Sequence, residues 1–437
     1  MTTAPTQKDE LREEQNLELA ATSADTERLV ARFYSTFPYP WRPYKYDYVE
    51  DPLFYARMLA QELGCWDGRF LPDEPRIWVA GCGTNQSVVT ALRYPQALVI
   101  GSDISTQSLE LAERTANELE LQHVSVREES IVDAGYDAAF DLIICTGVIH
   151  HNRDPGLALE GLAEALKPDG IIELMVYNRF HRGVTSAFQR AVRILNRSSG
   201  GEGDEAAHEF EEDVRTAQAL LEAVEDGSWL DDFLGGFEHK HDAAVADALV
   251  NPVEHSFTVR SLVELTDRCG LRVVAPCLNV FDVTRDTWDW ELRIPDADAH
   301  ARYEALSDVE RWYATNLVRY ERSPGLWFYL QRQDAPNPIG TVAELCESFL
   351  DTTFARSEAT QRNFLLGQDD RYRRSSRAVK LPAGAAPEPA RPILDLVDGK
   401  RPMRELFSQA GIEPRLADVN TIRLALTTTH FPYVTAA

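Results

Sequence analysis

The stretch Ile77–Ser87, IWVAGCGTNQS, decides the fold. Apolar residues run straight into Gly-Cys-Gly and then into small polar ones. A short apolar run closed by glycines and followed by helix-spaced residues predicts a buried strand, a tight turn, and a helix whose free N–H groups face the turn. Gly81 permits the turn, and Gly83 removes a side chain so that a ligand can approach the backbone. Asn85 stands where many nucleotide-binding loops have a further glycine. Among non-glycine residues Asn tolerates left-handed φ/ψ best, so it is expected to take that role.

Outward from this turn the chain alternates. Gln86–Tyr94 has helical spacing, Ala97–Asp103 is a strand, and Ser105–Leu121 is an amphipathic helix that Ser105 can cap. HVSVREES is a third strand and Ala139–Gly147 a fourth. Asp154–Gly170 reads as a helix closed by Lys-Pro-Asp-Gly, and Ile171–Asn178 as a fifth strand. Apolar strands alternating with amphipathic helices predict a doubly wound α/β fold, its mostly parallel sheet covered on both faces. Residues 180–250 read mainly as helix with an acidic, Gly-rich break at Ser198–Asp213, an insertion. A helix and strand follow in Asn251–Asp282, and Gly325–Arg332 can supply a last strand.

The totals bound the function. The chain has 437 residues, enough for two or three domains. Its net charge is −26, which repels phosphate backbones and argues against nucleic acid as a partner. Six scattered cysteines form no CxxC pair, so neither zinc-site spacing nor a disulfide framework is present, and a cytoplasmic setting with reduced thiols fits. No apolar run reaches the ~18 residues that suggest a membrane span. The polar, acidic start resembles neither a signal nor a transit peptide.

The second strand ends in Asp103, 20 residues after Gly83. At that spacing in such a sheet an acid binds the ribose hydroxyls of a nucleotide-like ligand. A dinucleotide needs a third glycine three positions after the second, and Gln86 is there instead. AGCGTNQ resembles motif I of class I S-adenosylmethionine-dependent methyltransferases. GSDIS, FDLIICTGVIHHNRDP and LAEALKPDGIIELMVYN resemble, in order, that family's acidic loop, fourth-strand motif and the Lys-Pro-x-Gly turn before strand five. The resemblance covers about 77–178 and implies a seven-stranded Rossmann-like methyltransferase sheet with S-adenosylmethionine as cofactor. It implies that Gly81, Cys82 and Gly83 pass the methionine part, with Ala80 and Asn85 also in the cofactor site, that Asp103 holds the ribose, and that Ile104 packs on adenine. Ser130 and Ile131 would flank the adenine edge, and Thr146 and Gly147 would close the floor near the sulfonium. The acid usual two residues before the first glycine is Val79 here, so the methionine amine is expected to use carbonyls around Ala80–Gly81 and Thr146–Gly147.

Methyl transfer from a sulfonium is an in-line displacement that needs no metal, only alignment and, for some nucleophiles, a base. The candidate catalytic groups are His150 and His151 after the fourth strand, Tyr177 at the end of the fifth, and His255 in EHSF, each with a packing role as the alternative. His181 follows strand five and could meet the substrate. Before the sheet, Pro38, Pro40 and Pro43 forbid helix in an aromatic segment. This strap either packs on the surface or forms a lid with Tyr34, Tyr39 and Trp41 over the acceptor.

The expected division is an N-terminal tail and strap (1–55), a methyltransferase domain (56–335, insertion about 180–250), an irregular linker (336–390) and a small C-terminal module (391–437). The expected activity is methylation of an oxygen or nitrogen of a small or medium organic acceptor. The alternatives are a peptide or protein acceptor docked by the C-terminal module, and a non-catalytic binding subunit. No membrane partner is expected.

Overall fold

The computed structural model describes residues 23–67, 70–197, 210–234, 236–237, 240–277, 290–430 and 432–437. The expected loose tail up to residue 22 and residues 198–209 of the acidic break lie outside them.

A helix, Ser23–Thr36, precedes the proline strap, which leads into β1 (Lys45–Val49) and the helix Phe54–Glu62. The main sheet then assembles from β2 (Arg76–Ala80), β3 (Leu98–Asp103), β4 (Val124–Glu128), β5 (Phe140–Thr146), β6 (Leu166–Tyr177), β7 (Leu271–Pro276) and β8 (Gly325–Arg332). Its order is β4-β3-β2-β5-β6-β8-β7. β8 runs antiparallel to both neighbours, and the other pairs are parallel. β2 lies beside both β3 and β5, so the chain winds outward in two directions from this pair. Such a switch point opens a crevice at the carboxyl ends of the strands.

The central strands are continuous apolar runs because both faces are covered: Ile77, Trp78, Val79 and Ala80 are all buried. The Trp78 indole N–H is satisfied by the Ser102 hydroxyl at 2.9 Å, which allows the ring to sit fully inside. Ser105 caps the helix Thr106–Glu118 by accepting from the Ser108 N–H, as expected. The helix Pro155–Ala165, capped by Asp154, passes directly into β6. Lys167-Pro-Asp-Gly170 is thus the start of the strand and not a separate closing turn. Lys167 is held there by Asp141 at 2.8 Å.

Residues 336–390, read from sequence as irregular, are ordered. The helix Val342–Asp351 is followed by β9 (Phe354–Arg356), β10 (Ala359–Leu366) and β11 (Tyr372–Leu381). β10 pairs with β1 on one side and with β11 on the other. The last residues add the helices Arg391–Leu396, Met403–Ala410 and Leu416–Thr427 and then β12 (Val434–Ala436), which pairs with β9. This tail does not stand apart as a module. Met403, Phe407, Ile422 and Leu426 join one apolar cluster with Phe140, Leu162 and Phe328 of the main sheet. Gln61 bridges to the carbonyls of Thr427 and Val434, and Glu62 accepts from Tyr329 and from the Thr429 N–H.

The insertion packs as helices Phe210–Glu222, Trp229–Leu234 and Asp242–Leu249 against Arg179–Arg197 and the N-terminal helix. Phe33 is fully buried among Phe188, Phe210 and Val214. The insertion and the helix Ser23–Thr36 therefore form one helical cap. Among the described residues no helix is long and apolar enough to cross a membrane.

Candidate active site

A cavity of 1240 Å³ opens at the carboxyl ends of β2, β3, β5 and β6, under the strap and the helical cap. Ligand pockets commonly hold about 300–1,000 Å³, so this one has room for a nucleotide-sized ligand and a second molecule beside it.

One side is built by the stretch that decided the fold. Gly81 and Gly83 both take left-handed φ, +70° and +51°. Asn85 does not: it sits at φ −147° at the head of the helix Gln86–Arg93. The two glycines have already made the turn, and Asn85 takes the N-cap position without a side-chain capping bond, contrary to the expectation. Gly83 is small for a different reason than expected. A Cβ there would lie 2.6 Å from the Tyr39 carbonyl oxygen of the strap. The Thr84 hydroxyl donates to the Pro40 carbonyl, so the strap docks on the glycine turn itself.

Asp103 lines the same side. Its Oδ2 accepts from the Gly83 N–H at 2.8 Å and its Oδ1 from the Ser105 N–H at 2.9 Å. The carboxylate keeps acceptor capacity for a ligand hydroxyl. Burial raises its pKa, opposed by those N–H donors. Cys82, Asn85, Ile104, Ile131, Thr146 and Gly147 also line the cavity. Ser130 lines it too, with its hydroxyl given to Glu27 at 2.9 Å. Ala80 is fully buried beneath the turn and outside the cavity wall, because its side chain belongs to the strand core.

Of the expected catalytic groups, His151 and Tyr177 reach the wall. His151 Nδ1 lies 2.7 Å from the Val253 carbonyl, which fixes the ring. Its Nε2 has no partner among the described residues. Burial lowers its pKa, so it is held neutral. His150 is fully buried and outside the wall, stacked 3.9 Å behind Tyr177, with neither ring nitrogen partnered among the described residues. His255 is also outside the wall; its N–H donates to the His150 carbonyl and anchors the loop. The sequence pairing of the histidines suggested equal access, but the short 3-10 turn Ile149–His151 presents only the second one.

Tyr34, Tyr39, Trp41 and His181 all line the cavity. Trp41 stacks on His241 at 6.1 Å and joins the strap to the insertion. His181 packs at 4.9 Å from Phe233.

Sequence reading missed the group at the centre of this half, Asp247. Its Oδ1 accepts from Tyr34 at 2.8 Å and its Oδ2 from Tyr177 at 3.4 Å. Asn251 steadies Tyr34 through a 2.9 Å bond to the same hydroxyl. Arg182, over the Tyr177 ring at 4.2 Å, is committed to Glu254, which also receives Gln189. The available signal was an acid within the apolar run Ala243–Leu249, AAVADAL, where a buried helix face would otherwise be uniform.

Comparison with known proteins bears on this arrangement. Residues 79–213 match the methyltransferase domain family. An uncharacterized protein of Synechococcus sp. is 29% identical over 269 residues, which is 60% of this chain and 61% of that protein. The ubiquinone biosynthesis O-methyltransferase of Actinobacillus pleuropneumoniae is 29% identical over 146 residues, 32% of this chain and 59% of that enzyme. The chain thus spans about three fifths of the length of these curated relatives. The structure of PKMT2 from Rickettsia typhi is similar in fold, with TM-score 0.55 and 13% identity over 91% of this chain and 76% of that one. Its complex with AdoHcy gives TM-score 0.54 and 16% identity, over 88% and 75%. Residues 79–213 thus match a methyltransferase domain, and they contribute to a seven-stranded, mostly parallel sheet of the Rossmann-like methyltransferase fold.

The residues present fit that cofactor. Main chain at Gly81–Gly83 lies open to the cavity, Asp103 offers a hydroxyl acceptor, and Ile104 and Ile131 give an apolar surface for a flat ring.

Proposed function

We propose that this chain methylates an oxygen or nitrogen of a small or medium-sized organic acceptor enclosed beneath the strap and helical cap. When bound, S-adenosylmethionine supplies an electrophilic methyl on a positive sulfur, and displacement leaves a neutral thioether. Asp103 would hold the ribose, Ile104 and Ile131 the adenine, and the backbone at Gly81–Gly83 and Thr146–Gly147 the methionine part. Tyr34, Tyr39 and Trp41 would exclude water and press the acceptor toward the reacting carbon, where alignment is most of the catalysis. His151 and Asp247 are the groups able to take a proton beside it.

The observation that carries this reading is one continuous cavity lined both by the glycine turn with Asp103 and by His151, Tyr177 and Asp247. The six free cysteines support a reducing, cytoplasmic setting. Ultraviolet cross-linking of the full chain with methyl-labelled S-adenosylmethionine tests the reading. Label displaced by S-adenosylhomocysteine and mapped to peptides around 39–41, 81–104 or 146–151 supports it. Label confined to other peptides, or not displaced, contradicts it.

A further inference from the structure

We infer that Asp247 and the rings around it form a recognition site for a protonated amine on the methyl acceptor. This rests on the function proposed above and narrows it.

Among the described residues Asp247 forms no ion pair. Its two hydrogen-bond donors, Tyr34 and Tyr177, are neutral phenols. The nearest guanidinium, Arg182, forks onto Glu254 and gives its remaining bond to the Ala248 carbonyl. Only 9% of Asp247 is exposed. Removing an ionised carboxylate from water is costly unless positive charge arrives with it. Tyr34 and Tyr39 line the same cavity, and aromatic faces attract ammonium groups. Among the described residues the wall is acidic on balance, with seven carboxylates against four Arg and Lys side chains. An alcohol would satisfy one lone pair of Asp247 and leave its charge unanswered; an ammonium answers both.

The position fits an acceptor. The residues assigned to the cofactor's ribose and adenine end or follow β3 and β4, whereas Tyr177 ends β6 and His151 follows β5, across the switch point of the sheet. Burial also pushes the Asp247 carboxyl up from its ordinary value. It can therefore accept one N–H proton from the bound ammonium. That transfer leaves a neutral amine with a free lone pair and a protonated Asp247, so atoms and charge balance.

The test uses the full chain saturated with S-adenosylhomocysteine and titrated in a calorimeter with n-butylammonium chloride or with 1-butanol. The expected result is saturable millimolar binding of butylammonium, about tenfold tighter than butanol, and a loss of about tenfold or more in Asp247→Asn. The ammonium–alcohol contrast is read on the unmutated chain, so it does not depend on the variant folding. Equal binding of the two probes, no saturable ammonium binding, or an unchanged affinity in Asp247→Asn overturns the inference. A parallel loss of S-adenosylhomocysteine affinity in Asp247→Asn would assign the carboxylate to the cofactor's own amino group and also overturn it. If the unmutated chain takes up no S-adenosylhomocysteine, the proposed function itself fails; uptake without ammonium binding removes only the amine.

Discussion

The Gly83 N–H donates to Oδ2 of Asp103 across 2.8 Å, tying the glycine turn after β2 to the end of β3. The side chain expected to hold a ribose also holds the turn that faces it. Asp103→Ala removes a charge-assisted acceptor and frees that N–H. Affinity for S-adenosylhomocysteine should fall by on the order of 2–4 kcal/mol. Asp103→Asn keeps one carbonyl acceptor and should lose less. Unchanged affinity in the alanine variant would remove Asp103 from the site.

The same turn holds the strap. Gly83→Ala places a Cβ 2.6 Å from the Tyr39 carbonyl and forces a non-glycine residue to φ +51°. The left-handed conformation alone costs roughly 1–2 kcal/mol, and the clash falls on the strap. Amide hydrogen exchange in peptides covering 38–48 should accelerate while the central strands stay protected. Unaltered exchange there would show that the strap does not depend on Gly83.

Removing residues 1–48 is expected to unfold the core. Phe33 and Tyr46 are buried, and β1 is a paired strand of the outer sheet. Trp41→Ala is the better probe of a lid. Trp41 is 49% exposed and its ring rests on His241, so stability should change by less than about 1 kcal/mol. Stopped-flow dissociation of S-adenosylhomocysteine should become faster. The same off-rate with the same melting point would reduce the strap to packing.

Glu62 gives the chain a pH dependence far from the site. Burial pushes its carboxyl from 4.5 to about 7, although Tyr329 and Thr429 donate to it. The folded state then holds a proton that the unfolded chain has released. Stability is therefore full below the unfolded value, declines by about 1.4 kcal/mol per unit as pH rises toward 7, and levels off above it, a loss of about 3 kcal/mol. Glu62→Gln should remove this slope, and its advantage over the unmutated chain should grow between pH 5 and pH 8. Parallel stability curves across that range would contradict the assignment.

The parts legible in the sequence share a physical cause. β2, β3, β5 and β6 are buried on both faces, so their apolar runs are continuous, and the glycines that end β2 mark the turn. β10 and β11 were hidden because they form a surface hairpin: Phe364 and Tyr372 are buried, while Arg371, Arg373, Arg374 and Arg377 face water. Along the chain such a strand reads as a polar loop. The C-terminal segment looked separable because its pattern is locally complete; that its apolar faces close over the sheet is a tertiary fact. Asp247 escaped notice because its importance lies in Tyr34 and Tyr177, which are distant in sequence. Asn85 was misread because nothing local says that Gly81 and Gly83 complete the turn before it.

The central claim is that the sheet edge formed by Gly81, Gly83, Asp103, Thr146 and Gly147 holds S-adenosylmethionine. Titration calorimetry of the full chain with S-adenosylhomocysteine, run beside Asp103→Ala, tests it most directly. One site per chain, with the affinity sharply reduced in the variant, is the predicted result. No heat of binding to a folded, unmutated chain, or equal affinity in the two, would contradict it.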